Sequence, residues 1–164
     1  MAILPISIYP APILKKKAGK IQNAKSPEIQ EFILDMLETM EKNNGVGLAA
    51  PQVGKSLRLC VISFGGKTYI LINPKFKSKS WKKIVADEGC LSFPGLFMPI
   101  KRHKKVTLKA ADRHGKKIVL KADGMLSRVL QHEIDHLDGI PFTKRKARIK
   151  KQTTNEKMIW KKAL

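Results

Sequence analysis

Gly124-Met125-Leu126-Ser127-Arg128-Val129-Leu130-Gln131-His132-Glu133-Ile134-Asp135-His136-Leu137 reads as one helix. Asp123 stands at its N-cap, and Gly139 stands where a left-handed C′ residue belongs. His132 and His136 are four residues apart, so both imidazoles share one helix face and can reach one metal ion. Glu133 projects beside them, where a carboxylate can exchange a proton with water acidified by that ion. A helix carrying such a site must lie against other elements rather than alone, and the flanking sequence supplies strands.

Immediately upstream, residues 105–111 and 116–122 alternate as strands around the turn Asp112-Arg113-His114-Gly115. Farther back, 57–64 and 67–72 flank Gly65-Gly66, a second hairpin that Asn73-Pro74 ends. Residues 83–86 read as a shorter strand. Cys60 lies within the first hairpin and reads as a buried, inert side chain. Ser26-Pro27-Glu28 opens an earlier helix, with Ile29, Phe32, Ile33, Met36, Leu37 and Met40 at helical spacing. It ends near Asn43-Asn44-Gly45. The fold class is α+β, with antiparallel sheets packed around a central helix. Residues 1–143 form a single catalytic metallohydrolase domain, and 144–164 form a basic tail or helix.

The chain has 164 residues, 33 Lys+Arg and 13 Asp+Glu, a net charge of +20. Such a balance points to a polyanionic neighbour and says nothing of fold. A hydrophobic fraction of 43% argues against disorder. No apolar run approaches the roughly 18–20 residues of a membrane span, so no membrane partner is expected. The N-terminus lacks a basic segment and is broken by Pro5, Pro10 and Pro12, which makes a poor secretory signal. Two cysteines, Cys60 and Cys90, fit a reducing cytoplasm. His103 and His114 read as exposed loop histidines, and Trp81 and Trp160 as anchors against the core.

Two histidines do not complete a catalytic metal site, which needs a third protein ligand and an open position. Glu156, twenty residues after His136, would give a zinc peptidase arrangement, although it stands alone in a lysine-rich tail. Cys90, in Glu88-Gly89-Cys90-Leu91-Ser92-Phe93-Pro94-Gly95, would bind as thiolate. Burial as a small hydrophobe is the commoner fate of a free cysteine. A third reading makes the chain a basic RNA-binding module.

Three motifs in order give the chain a resemblance to the peptide deformylase family. They are Gly45-Val46-Gly47-Leu48-Ala49-Ala50-Pro51-Gln52, Glu88-Gly89-Cys90-Leu91-Ser92, and Gln131-His132-Glu133-Ile134-Asp135-His136. The resemblance spans roughly residues 3–143. It implies that Cys90, His132 and His136 hold the metal, with Fe²⁺ as the native ion; the donor set also tolerates Zn²⁺, Ni²⁺ or Co²⁺. It implies Glu133 as general acid/base, with the Gln52 side chain and the Leu91 backbone N–H forming an oxyanion hole. Gly47 would bind the substrate backbone as an added strand, and Gly89 would line the same site. By position, Val46, Met125 and Val129 are candidates for the methionine pocket. Arg128, one turn before His132, is expected at the rim or against later substrate residues, and Glu88 with Arg102 as a bracing ion pair. The implied activity is removal of the N-formyl group from the N-terminal methionine of nascent polypeptides, releasing formate. The implied partner is the ribosome, whose RNA would meet the basic surface and tail.

Overall fold

The computed structural model describes residues 2–147. Helix α1 runs Pro27–Lys42 and helix α2 runs Gly124–Leu137. Seven strands lie between and beside them. They are β1 Gly47–Ala49, β2 Leu59–Phe64, β3 Lys67–Lys79, β4 Lys83–Cys90, β5 Phe93–His103, β6 Lys105–Ala111 and β7 Lys117–Asp123. Five form an antiparallel sheet in the order β1-β2-β3-β6-β7, while β4 and β5 form a separate two-stranded sheet.

Strand β2 shows how period-two alternation divides the interior. Cys60 and Ile62 face a core shared with Leu130, Ile134 and Leu137 of α2. Leu59 and Val61 face the opposite core with Phe32, Ile33, Met36 and Met40 of α1. The two helices therefore cover opposite faces of one sheet. Every residue of α2 from Ser127 to Leu137 is buried, because β4–β5 closes the side that the large sheet leaves open. Enclosure on all sides makes each unpaired polar group costly, and this helix carries polar residues along its length from Ser127 to His136.

The bounds of α2 match the expectation, with Asp123 at the N-cap and Gly139 at φ 69 just past the C-cap. Several expectations change. Asn73-Pro74 does not end its strand. Asn73 takes φ 53 and bonds both backbone groups of Ile21, the register shifts, and β3 continues to Lys79. The short strand at 83–86 extends to Cys90 and pairs with β5, which the sequence reading did not contain. Pro94, Gly95 and Pro99 are weak strand formers, but a two-stranded sheet has only edges, where proline is tolerated. Trp81 is fully exposed rather than packed on the core, and Trp160 lies outside the described residues.

His114 is exposed, as expected, but His103 is half-buried at the end of β5, with Nδ1 2.6 Å from the Ser80 carbonyl. The first residues of the basic segment are attached to the domain. Arg145 pairs with Asp135 at 2.8 Å, and the Ala147 N–H donates to the Pro99 carbonyl at 2.9 Å. Glu156 lies outside the described residues. No helix among the described residues is long and apolar enough to cross a membrane.

Candidate metal centre

Cys90 ends β4, and His132 and His136 stand one turn apart on α2. Cys90 Sγ lies 3.2 Å from His136 Nε2, which lies 3.2 Å from His132 Nε2. All three ligand atoms fall within 4.8 Å of one another. Donors sharing one tetrahedral ion with bonds of about 2.0–2.3 Å lie about 3.3–3.6 Å apart, so these spacings fit a divalent ion. One thiolate and two imidazoles are donors such an ion accepts. Cys90 thus stands where the third ligand that spacing alone left open could be.

Orientation comes from Glu88. Its Oε2 accepts from Nδ1 of His132 at 2.9 Å, which leaves Nε2 facing Cys90 and His136. Glu88 is wholly buried and is gripped by two guanidinium groups. Arg102 binds it bidentately, Nε to Oε1 and Nη2 to Oε2, both at 2.9 Å, as the sequence reading expected of this pair. Arg128 Nη1 adds a third contact at 2.7 Å. Burial pushes the Glu88 carboxyl upward, but hydrogen bonds from His132 and Arg102 outweigh it and hold the group far below the usual carboxylate range. Arg102 also meets Asp135, which Arg145 binds from the other side. A continuous run of charges therefore links the start of the basic segment to His132.

Arg128 does not reach the rim. It is 1% exposed, and its head donates to Glu88 and to the carbonyls of Ile84, Ala86 and Ile100. With the guanidinium consumed, only its aliphatic stem is left for the neighbouring cavity wall. The sequence placed Arg128 beside the site but gave no sign of the strand carbonyls that take its charge.

Glu133 is buried, and its Oε2 has no hydrogen-bond partner. Burial pushes its carboxyl up to about 7. Burial and the adjacent His132 push His136 well below the ordinary imidazole value. Gly47 of β1 lies against Glu133: a Cβ there would strike Oε1 and stand 2.9 Å from Cδ. Close approach does require this glycine, but the group approaching is the Glu133 carboxylate. Gly89 has a similar constraint, since a Cβ would meet the Phe97 ring. Gln52 accepts from the Ala49 N–H at 2.8 Å and directs its amide toward Cys90 Sγ, at 3.5 Å, and Ser92 Oγ, at 3.4 Å. Leu91 occupies the turn after Cys90.

A cavity of about 890 Å³ opens beside these groups. Val46, Gly47, Gln52, Gly89, Cys90, Leu91, Met125, Val129, His132 and Glu133 all line it, which brings together the expected substrate residues and most of the expected machinery. Phe93, Leu96 and Phe97 of β5 also line it. Sequence reading missed them with their strand; a run of apolar residues beside the cysteine motif was the available signal.

The profile of the family described as polypeptide deformylase matches residues 3–152. The chain belongs to the peptide deformylase family. A deformylase of Thermodesulfovibrio yellowstonii is 44% identical over 167 residues, covering 99% of this chain and 100% of the relative. One from Symbiobacterium thermophilum is 48% identical over 147 residues, covering 87% of this chain and 66% of the relative. Among solved deformylases, that of Thermotoga maritima superposes with a TM-score of 0.87 at 36% identity, covering 90% of this chain and 99% of that one. The deformylase of Synechococcus elongatus, solved in complex with actinonin, gives 0.86 at 35% identity, covering 90% and 81%. Deformylases are metal-dependent hydrolases, and the Cys90, His132 and His136 cluster is where this chain could hold its ion.

Proposed function

We propose that the chain removes the N-formyl group from the N-terminal methionine of nascent polypeptides, with Glu133 moving the proton. The observation that carries this reading is the unpartnered Glu133 Oε2, buried beside three convergent metal donors and the β1 edge. Leaving a buried carboxylate oxygen without a partner costs stability, and the cost is recovered when water or substrate meets it.

Cys90, His132 and His136 would hold a divalent ion, which would supply Lewis acidity and ease loss of a proton from water near neutral pH. Glu133 accepts that proton as the water oxygen attacks the formyl carbon. The Gln52 amide and the Leu91 N–H donate to the formyl oxygen as it gains negative charge. Glu133 then delivers the proton to the leaving nitrogen, the C–N bond breaks, and formate and a free amine depart. Gly47 sits on an edge strand, so a peptide can add beside it with alternate side chains in pockets. Val46, Met125 and Val129, with the stem of Arg128, give the methionine side chain an apolar wall, and Gly89 borders the same space.

Fe²⁺ is the proposed ion, with Zn²⁺, Ni²⁺ and Co²⁺ compatible with the same donors. The proposed setting is the cytoplasm, beside the ribosome, with residues 144–164 and the basic surface contacting ribosomal RNA. Because Arg145 and Ala147 pack on the domain, the informative truncation removes only 148–164. It should lower ribosome affinity and spare activity on free peptides.

The deciding assay measures formate from formyl-methionyl peptides with anaerobically Fe²⁺-loaded protein. Glu133→Ala should abolish release while keeping the metal, and Cys90→Ser should lose metal and activity together. Metal loss from Glu156→Ala with retention in Cys90→Ser would instead favour the peptidase arrangement.

A further inference from the structure

The turn between β3 and β4, Ser80-Trp81-Lys82, presents an indole wholly to solvent: Trp81 is 100% exposed, whereas the next most exposed large apolar side chain among the described residues, Val119, reaches 61%. Burying such a ring is favourable, and this position forgoes that gain. The turn itself is held firmly. The Ser80 N–H donates to the Lys105 carbonyl at 2.9 Å, and the Lys104 N–H donates to the Lys82 carbonyl at 2.8 Å. Ser80 Oγ donates to that same carbonyl at 2.8 Å and accepts from the Lys105 N–H at 3.0 Å. The ring thus stands on a fixed pedestal.

Lysines flank it in the chain and across the turn. Lys82 and Lys83 follow Trp81 in the chain, and Lys104 and Lys105 are joined to the turn by the backbone bonds above. Register places Lys101 opposite Val85, farther along the same two strands. Neither 75–86 nor 99–111 contains an acidic residue. Asp123, half-exposed, lies 3.4 Å from Lys105.

We infer that this turn is a docking surface for single-stranded RNA, with Trp81 stacking on a base and Lys82, Lys83, Lys104 and Lys105 meeting the adjoining phosphates. Exposed aromatic rings set among cations bind single strands in this way, because every base has a face to stack. A lipid surface would call for a broader apolar wedge, and here Ser80 and Lys82 flank a single ring. An acidic protein would account for the lysines but not for the exposed indole. The surface is built from residues 80–83 and 104–105 and does not depend on the reading of the metal centre. Strand β4 separates the turn from Cys90 by eight residues, about 25 Å of extended chain, so bound RNA leaves the cavity open.

The chain has two tryptophans, so full-length Trp160→Phe protein makes Trp81 the only indole. Titration with a uridine oligonucleotide of about 12 nucleotides should quench its emission saturably, with affinity falling steeply as salt rises. In the otherwise unaltered chain, Trp81→Ala should weaken binding of the labelled oligonucleotide roughly ten-fold by anisotropy. Lys82→Glu with Lys83→Glu should weaken it further and flatten the salt slope by about one for each phosphate no longer neutralised. All these variants should release formate at the parent rate. Three results would each overturn the inference: no quenching where anisotropy shows saturation, equal quenching by inorganic polyphosphate, or quenching by phosphatidylglycerol vesicles but not by RNA.

Discussion

Glu88 Oε2 lies 2.9 Å from Nδ1 of His132, on the side of the imidazole away from Cys90. The carboxylate thereby fixes which ring nitrogen is left for a metal, and two buried arginines fix the carboxylate in turn.

Glu88→Gln keeps the shape and removes the charge. Metal affinity should fall roughly 10–100-fold, read by chelator competition, because the outer partner of a ligating histidine sets its orientation and basicity. The metal-free protein should also lose about 3 kcal/mol of stability, since Arg102 and Arg128 would keep buried charges without their counter-ion. Unchanged chelator competition would show that His132 is oriented without Glu88.

Gly47→Ala places a methyl group where the Glu133 carboxylate lies. Displacing that group by about an ångström should lower formate release by about 100-fold. Metal content should stay at the parent level, because the three atoms nearest the new methyl all belong to Glu133 and none to Cys90, His132 or His136. Parallel metal analysis and rate measurement separate this outcome from unfolding.

Arg128→Met removes the guanidinium while retaining an apolar stem. Denaturant unfolding should show a loss of about 3 kcal/mol, because Glu88 and three strand carbonyls lose a buried donor. KM for formyl-methionyl peptides should change little, since the stem rather than the charge is left for the cavity. Arg128→Lys should not restore stability, because one ammonium cannot reproduce the planar fork.

Helix α2 was legible from sequence because its cap residues, its end glycine and the spacing of His132 and His136 all agree. The hairpin of β2 and β3 was legible for the same reason, with Gly65 and Gly66 at positive φ between alternating strands. Local signals failed where tertiary context overruled them. Asn73-Pro74 looks like a strand end, yet the Asn73 side chain satisfies Ile21 and lets β3 pass through a bulge. Pro94 and Pro99 look incompatible with β5, yet a sheet of two strands accommodates them. In the site, helical spacing gave both histidines, but no spacing distinguishes Cys90 from Glu156 as their companion. Nor does spacing show that Arg128 turns toward β4 and β5, or that Gly47 makes room for Glu133. Those facts depend on which segments meet after folding.

The open edge of β1 carries a hazard as well as a use. An unpaired strand edge invites pairing with any extended chain, including another copy of the same protein, and so can seed aggregation. Here that edge is three residues long and faces a cavity, with Asn43, Asn44 and the turn Gly65-Gly66 around it. A threaded polypeptide end can enter such a slot, whereas a preformed sheet cannot.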